Sequence, residues 1–318
     1  MTDCLVFDPK DLLPEAWGKL GDPGPVWLFN PSLLREGGGW IFAYRVVGPD
    51  ILRRIAVCRL DGGFKVVQGS QVPFTDYVHF SPAAGHSERT TGWFADPRLY
   101  RAFGKLWLYW NSGWHDPFNH QFVQELAGSD LRPIGVPREL VLQGERRPLE
   151  KNWMFFGKDS GNAVHSISPH RILEASWASK DRVDCAEIIS TPWENSEFSR
   201  RYGELRGGAP PQQVGGDYFS ICHAVAGSPG EYRYAAAVYG FSGAPPFAPN
   251  AGPRNPLLLP NPFGGKRIHA KLNPAVGEVI YPCGAVLDGG EWVISYGIND
   301  EHCAIATVFH DAVLASML

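Results

Sequence analysis

Charged residues are scarce in this chain: Asp, Glu, Lys and Arg make up 19% of its 318 residues. The net charge of −4 is spread along the sequence without a basic stripe, so we expect no nucleic-acid partner. No apolar run is long enough to span a bilayer, so we expect no membrane partner either. The opening MTDCLVFDPKDLL has neither a basic n-region nor an apolar h-region, which indicates a cytoplasmic protein without a secretory signal.

Closely spaced cysteines are also lacking. The six cysteines form no C-x-x-C pair, and several lie in apolar, strand-like contexts such as SICHAV and IYPCGAV. We therefore expect buried free thiols rather than disulfides.

Helical periodicity is scarce as well. Only residues 8–20, DPKDLLPEAWGKL, and residues 309–318, FHDAVLASML, are candidates for helices. The chain between them consists of short alternating strands separated by Gly, Pro, Asn and Asp. With 36 Gly, 27 Pro and 13% aromatic residues, this pattern predicts an all-β protein with many tight turns.

Five segments of the chain share one plan: a polar or proline-containing opening, a short strand, a turn, and an alternating strand that ends on a polar residue. The segments read FNPSLL–EGGG–WIFAYR, ADPRLY–RAFGK–LWLYWN, EKNWMFF–GKDSGN–AVHSIS, LRGGAPPQQ–VGGD–YFSICHAV and VIYPCGAV–LDGGE–WVISYGIND. Their openings, at Asn30, Asp96, Asn152, Ala209 and Pro282, are 66, 56, 57 and 73 residues apart. Strand repeats of this length are typical of propeller blades.

The predicted fold is therefore a five-bladed β-propeller that forms a single domain over residues 1–318. Its blades are expected at roughly 25–85, 86–145, 146–203, 204–272 and 273–318. The alternative is a β-sandwich with coincidental hairpins, but a sandwich has no reason to place polar motifs at matching hairpin ends.

Each opening and the polar end of its hairpin are 13 to 15 residues apart, which brings the two together at one end of the hairpin. In a propeller these ends converge on one mouth of the central channel. The predicted set is Asn30, Arg45, Asp96, Arg98, Asn111, Lys151, Asn152, His165, Arg206, His223, Tyr296 and Asp300. So many donors and charges suit a hydroxyl-rich ligand, either neutral or anionic.

Other features have simpler interpretations. The cluster of His115, Asp116 and His120 offers too few spaced ligands in a polar loop, so we expect no metal. Gly207-Gly208 before Pro210-Pro211 indicates a rigid turn that brings backbone close to the pocket. Residues 240–277, rich in Pro and Gly, form either a lid or an irregular outer blade edge.

These motifs resemble the five-bladed propellers of glycoside hydrolase family 130, the β-mannoside phosphorylases and hydrolases. FNPSLL with AYR is similar to the family's N-P opening and Y-R strand, and ADPRLY with GKLWLYW to its E-D-P-R motif and following strand. EKNW, GGAPP with the strand ending at His223, and YPCGAV with SYGIND follow in family order. The resemblance covers roughly Asn30 to Asp300.

The resemblance implies inverting cleavage of a β-mannoside or related glycoside by phosphate or water, with Asp96 as general acid. It implies no cofactor and no metal, with inorganic phosphate as a co-substrate. Lys151, Arg206 and His223 would hold phosphate. Asn30, Arg45, Asn152 and Asp300 would hold sugar hydroxyls, and Arg98, Asn111 and Tyr296 complete the predicted substrate contacts.

The sequence departs from the family pattern in three places, one of which is EKNWMFF, where a family apolar stretch is rebuilt around Trp153. Ala95 stands where the glutamate before D-P-R is expected, and NSGWHDPFNHQF lacks an expected phosphate-binding arginine. These departures leave hydrolysis, glycosyl transfer and a purely carbohydrate-binding propeller open beside phosphorolysis. A protein-interaction scaffold is a weaker alternative, since it needs no polar channel mouth.

Several candidates also have structural interpretations. Asp96 could cap a strand entry, and His223 could be a hydrogen-bonded core histidine. Tyr296 and Trp153 are large aromatics that more often pack in a core than stack on a sugar.

Overall fold

The computed structural model describes residues 4–113, 118–147, 149–264, 266 and 270–317. Strands account for 49% of the described residues and helices for 10%, which confirms the all-β prediction. The first described elements are a short strand and a short helix, β1 (Cys4–Val6) and α1 (Pro9–Leu12), followed by a 3-10 turn at Glu15–Trp17.

The remaining strands form five consecutive groups. The first is β2 (Trp27–Glu36), β3 (Gly39–Val47) and β4 (Arg53–Leu60). The second is β5 (Ala95–Ala102), β6 (Lys105–Ser112), β7 (His120–Leu126) and β8 (Pro133–Leu142). The third is β9 (Met154–Phe156), β10 (Asn162–Ser166), β11 (His170–Ser176) and β12 (Arg182–Thr191).

The fourth group is β13 (Glu204–Arg206), β14 (Gln212–Val214), β15 (Asp217–Ala226), β16 (Tyr232–Ser242) and β17 (Pro249–Ala251). The fifth is β18 (Val276–Asp288), β19 (Glu291–Ile298) and β20 (His302–Phe309). The other helices are α2 (Glu88–Thr91), α3 (Ser196–Tyr202) and α4 (His310–Ala315), with 3-10 turns at Phe74–Tyr77 and Pro82–Ala84.

The strands pair antiparallel within each group, with β13 and β14 both paired to β15, so each group is a blade. Parallel pairs join neighbouring blades at two places, β8 with β12 and β16 with β18. β1 pairs antiparallel with β20 and becomes the outer strand of the fifth blade. The N-terminal strand therefore closes the ring.

Seven apolar clusters form the core of the described residues, and five of them lie between adjacent blades. Blade 1 packs on blade 2 through Ile41, Val57, Leu108 and Trp110. The interface between blades 2 and 3 includes Tyr109 and Phe155. Ile172 and Tyr239 lie between blades 3 and 4, and Val238 and Ile294 lie between blades 4 and 5. The last returns from blade 5 to blade 1, with Ile305 beside Phe42. Five interfaces in a closed cycle make a five-bladed propeller, as the sequence predicts.

Both faces of the inner strands are buried because each blade lies between two others. The β3 segment WIFAYR, for example, sends Ile41 and Ala43 to the interface with blade 2. Phe42 and Tyr44, which alternate with them, point to the interface with blade 5. This explains why these strands are rich in apolar residues on both faces. The single domain and its blade limits remain a prediction, which the strand pairing supports.

The helix predictions are confirmed only in part. Residues 8–20 contain one helical turn, α1, and a 3-10 turn, since Pro14 interrupts the helix between them. The C-terminal candidate is α4. All six cysteines are free; five are buried and Cys4 is half-buried. Within the described residues, no helix has the length and apolar character needed to cross a membrane.

The described part of residues 240–277 is more ordered than the sequence suggests. β17 extends the edge of blade 4, and Leu257 and Leu259 are buried in the interface between blades 4 and 5. Leu272, Asn273 and Pro274 then reach the channel mouth. The segment thus combines an outer blade edge with part of a pocket wall.

Candidate active site

A cavity of about 350 Å³ lies at the end of the inner strands where the polar motifs converge. Its volume falls in the usual range for a small-molecule site. The structure brings together nine of the predicted residues in its lining: Asn30, Arg45, Asp96, Asn111, Lys151, Asn152, Arg206, His223 and Asp300. Five blades therefore contribute to one pocket.

β-Bulges in the first strands direct these side chains into the pocket. In β2 the pairing with β3 shifts between Phe29 and Ser32, and in β5 it shifts between Ala95 and Arg98. The residues inside these shifts, Asn30 and Asp96, have left-handed φ values of 51° and 54°. Asn and Asp adopt this conformation more readily than other non-glycine residues, which explains their place in the motifs.

Asp96 is held in the pocket by side chains of two blades. Its Oδ1 accepts a 2.8 Å hydrogen bond from Asn30 Nδ2 and a 3.4 Å contact from Arg45. Its Oδ2 accepts a 3.3 Å hydrogen bond from Asn111 Nδ2. The carboxylate is 8% exposed, so it reaches the cavity but is largely shielded from water.

Charges around Asp96 decide its protonation state. Burial acts to raise the pKa of Asp96, but Arg45, Lys151 and Arg98 together with the Asn30 hydrogen bond lower it more. The net effect is a pKa below the ordinary value. In the empty pocket Asp96 is therefore a carboxylate at neutral pH.

The pocket carries more positive than negative charge. Its described lining contains four cationic side chains, Arg45, Arg53, Lys151 and Arg206, and two carboxylates, Asp96 and Asp300. Burial and the neighbouring Arg45 lower the pKa of Arg53 to about 10, which still leaves it charged at neutral pH. An excess of cations in a recessed site attracts an anionic ligand.

His223 adds a neutral polar group to this cationic wall. Burial, reinforced by Arg98, Arg206 and Lys151, holds the pKa of His223 well below its usual range. Its ring stacks on Tyr234 at 5.6 Å and contacts Tyr281 at 4.5 Å between centroids. Nδ1 has no hydrogen-bond partner among the described residues.

Arg98 differs from the prediction that it contacts substrate. It is fully buried beneath the pocket, where it donates to the carbonyl oxygen of Gly208 and to Asn152 Oδ1. Tyr281 also donates to Asn152 Oδ1, at 2.8 Å. The bulge in β5 turns Arg98 inward, so it is a positioning residue.

Three further predicted residues lie away from the main pocket. Tyr296 is fully buried in the core and donates to the carbonyl oxygen of Pro260, so the substrate contact predicted for it is corrected. Trp153 is buried and donates to Glu150, which excludes sugar stacking. His165 also pairs with Glu150, at 2.9 Å, beside an adjoining cavity of about 190 Å³.

That adjoining cavity shares Lys151, Asn152 and Arg206 with the main pocket. The two cavities together form a groove along blades 3 and 4. His115 and Asp116, part of the rejected metal cluster, lie outside the described residues.

Sequence reasoning missed Arg53, Trp93, Tyr234, Asn273 and Tyr281 in the pocket lining. The Arg53 guanidinium lies over the ring of Trp93, 4.4 Å from its centroid, and this cation–π contact orients Arg53 in the pocket wall. Trp93 is three residues before Asp96, and Tyr281 belongs to the YPCG motif, so both were within reach of motif reasoning. The others come from neighbouring segments whose approach depends on the assembled ring.

No protein-family model matches the sequence, and no curated protein matches it. Solved structures do. A β-1,2-mannobiose phosphorylase from Listeria innocua, in complex with β-1,2-mannobiose, has a TM-score of 0.65 and 14% identity, over 99% of both chains.

A structure from the GH130 family of mannoside phosphorylases, which contains glycoside hydrolases targeting β-1,2 mannosidic linkages in Candida mannan, has a TM-score of 0.63 at 11% identity. It covers 98% of this chain and 94% of its own. A GDP-Man-dependent mannosyltransferase from Leishmania mexicana has a TM-score of 0.54 at 11% identity, over 90% and 85%. This chain therefore has the GH130-like five-bladed β-propeller fold.

Proposed function

We propose that the protein is an inverting glycoside phosphorylase that cleaves a β-mannoside or related glycoside with inorganic phosphate. One observation carries this proposal: a buried, hydrogen-bonded carboxylate, Asp96, lies in a pocket whose described lining has a two-charge excess of cations. The carboxyl group supplies the acid, and the cations supply a place for phosphate.

Phosphate itself makes Asp96 a better acid. Arg45 and Lys151 are among the groups that lower the pKa of Asp96 in the empty pocket. A bound phosphate dianion offsets their charge and acts on Asp96 as a like charge, so the pKa of Asp96 rises. The ternary complex is then the state in which Asp96 holds a proton.

The chemical step transfers the proton of Asp96 to the glycosidic oxygen as the bond from that oxygen to the anomeric carbon breaks. A phosphate oxygen attacks the anomeric carbon from the opposite face and forms the new C–O bond. The products are a sugar 1-phosphate of inverted configuration and a free sugar alcohol. The proton of the hydrogen phosphate returns to Asp96 and restores the acid.

Lys151, Arg206 and His223 are proposed to hold phosphate. Lys151 and His223 line the pocket together with Asp96, and Arg206, also in the lining, forms a 3.1 Å ion pair with Glu204.

Asn30, Arg45, Asn111, Asn152 and Asp300 remain the proposed contacts for sugar hydroxyls. The amides donate and accept, the carboxylate accepts and the guanidinium donates, so together they suit the hydroxyls of a sugar ring. The adjoining cavity along blades 3 and 4 offers room for a second sugar unit.

Two other outcomes have specific support. Hydrolysis requires a second carboxylate as general base, and Asp300 is the other carboxylate of the described pocket lining. Transfer from an activated sugar is favoured by the similarity to a GDP-Man-dependent mannosyltransferase. A binding propeller without chemistry would keep Asp96 ionised, as it is in the empty pocket.

A cytoplasmic location and the absence of nucleic-acid and membrane partners remain part of the proposal.

The test is product release from a panel of manno-oligosaccharides with and without phosphate, comparing wild type, Asp96→Asn and Asp288→Asn. Asp288 is an exposed acid in an ion pair with Arg35 and serves as the matched control. We expect sugar 1-phosphate only with phosphate, and a loss of about 10²–10⁴-fold in Asp96→Asn alone. Free mannose in both buffers would mean hydrolysis, and product only with GDP-mannose would mean transfer. An Asp96→Asn variant as active as wild type would exclude the mechanism.

A further inference from the structure

A second cluster of reactive side chains lies on blade 2, outside the pocket described above. It consists of His86, which precedes α2, His120, which begins β7, and Glu139 in β8. One ligand atom from each lies within 4.8 Å of the others. His120 Nδ1 is 2.6 Å from Glu139 Oε1, and His86 Nε2 is 3.7 Å from Glu139 Oε2.

The surroundings of this cluster are apolar on one side and open on the other. Phe80 and Phe122 contact the His86 ring at 5.8 and 5.2 Å, and Phe118 contacts His120 at 5.6 Å. The three polar side chains are only 9–18% exposed. A cavity of about 320 Å³ over them provides an entry path from solvent.

We propose that His86, His120 and Glu139 bind a zinc ion, with its fourth coordination position facing this cavity. Two imidazoles and one carboxylate are a zinc ligand set that leaves one position open. In a tetrahedral zinc site the ligand atoms are about 3.3–3.5 Å apart. The two His–Glu separations, 2.6 and 3.7 Å, lie on either side of this value, and one ligand atom from each residue lies within 4.8 Å of the others.

The choice of zinc follows from the ligand types. Imidazole nitrogen suits zinc and the later transition metals, whereas magnesium and calcium require oxygen ligands. Arg146 approaches Glu139 at 3.9 Å but directs Nη2 to the carbonyl oxygen of Asn119, so it leaves the carboxylate available.

A zinc ion here would join three separate segments of the mouth. Ser112, at the end of β6, donates to the carbonyl oxygens of Thr90 and Trp93, so the segment after His86 continues into the wall of the main pocket. The ion therefore fixes the segment that carries Trp93 against β7 and β8. This role is structural and independent of the reaction proposed above.

The experiment uses tag-free full-length protein, stripped with a chelator and titrated with ZnCl₂ against a chromophoric zinc indicator. The variants are His86→Gln, His120→Gln and Glu139→Gln, and His79→Gln is the matched control because His79 is exposed and outside the cluster. We expect one zinc ion per wild-type chain. Each ligand variant should bind at least about tenfold more weakly, and the control should bind as wild type does.

Two readouts do not depend on the variants. Zinc at a hundredfold excess over its Kd should raise the wild-type Tm by about 3–8 °C, and MgCl₂ should not. Cobalt substitution should give the visible d–d bands of a tetrahedral ion. Absence of binding by wild type, or equal binding by wild type and His120→Gln with no cobalt bands, would overturn the proposal.

Discussion

Asn30 and Asp96 occupy the same position in successive blades, and Asn30 Nδ2 donates a 2.8 Å hydrogen bond to Asp96 Oδ1. Both have left-handed backbone conformations inside a bulge, and a proline follows each of them. One repeat therefore supplies the candidate acid, and the preceding repeat supplies the amide that orients it.

Replacing Asn30 by Gly should remove this amide while keeping the left-handed backbone, which Gly accepts without strain. The hydrogen bond from Asn30 is one of the interactions that hold the pKa of Asp96 below its ordinary value, so the pKa of Asp96 should rise when this hydrogen bond is lost. Because the acid must be protonated in the ternary complex, the alkaline limb of the pH profile of kcat should move to higher pH. Asn255→Gly, at an exposed position, should leave the profile unchanged. A limb that stays in place or moves down would contradict the assigned contact.

Arg206→Gln should weaken phosphate binding. A hydrogen bond to a charged group contributes about 1.5–3 kcal/mol, so we expect the KM for phosphate to rise by about 10- to 100-fold. The KM for the glycoside should change much less. Arg200→Gln, on the exposed face of α3, is the control for loss of one positive charge. Equal effects of the two variants would point to long-range electrostatics instead of a phosphate contact.

Arg98→Lys should destabilise the fold although it conserves the charge. Lys cannot reproduce the planar set of donors that serves Gly208 and Asn152, so buried acceptors lose their partners. We expect a loss of about 2–4 kcal/mol in the free energy of unfolding, measured by urea denaturation. Arg101→Lys is the matched control on the same strand, with a side chain that is 43% exposed. A loss below that of the control would show that Arg98 is not a structural anchor.

Gly297→Ala should act on the site through Asn30. A Cβ at this position would overlap Asn30 Oδ1 and approach the Asn30 backbone nitrogen at 2.8 Å. We expect a loss of about 1–3 kcal/mol in stability together with reduced kcat, because Asn30 must shift away from Asp96. Gly38→Ala, where a Cβ meets nothing within 4 Å, should change neither quantity. Full activity of Gly297→Ala would mean that Asn30 can move without consequence.

The sequence was sufficient to predict the repeat and most of the pocket because hairpin geometry is local. Fifteen positions separate Asn30 from Arg45 and Asp96 from Asn111, and β2–β3 and β5–β6 bring each pair to one hairpin end. Polar residues at those ends could therefore be assigned to one mouth without knowing how the blades pack.

The errors come from features that alternation does not reveal. The bulge after Ala95 shifts the register of β5, so Arg98 turns under the pocket instead of into it. Tyr296 lies beyond a second bulge, opposite Pro282, and its side chain joins the core. Arg53 and His86 are far in sequence from the groups they meet, so local hairpin geometry does not place them.

The pairing of β1 with β20 rests on three residue pairs, from Cys4 with Ala306 to Val6 with Ala304. The ring is thus closed by a short non-covalent strand pairing, in which the first and last strands lie side by side. Because the blades form a closed ring, the same arrangement of blades is compatible with a chain that starts at a different blade. A circular permutant that links these two strands covalently and opens at the exposed turn of Gly37 and Gly38 would keep all five blade interfaces. In this permutant a peptide linkage would join β1 to β20, and the ring would instead be closed non-covalently in blade 1, between β2 and β3.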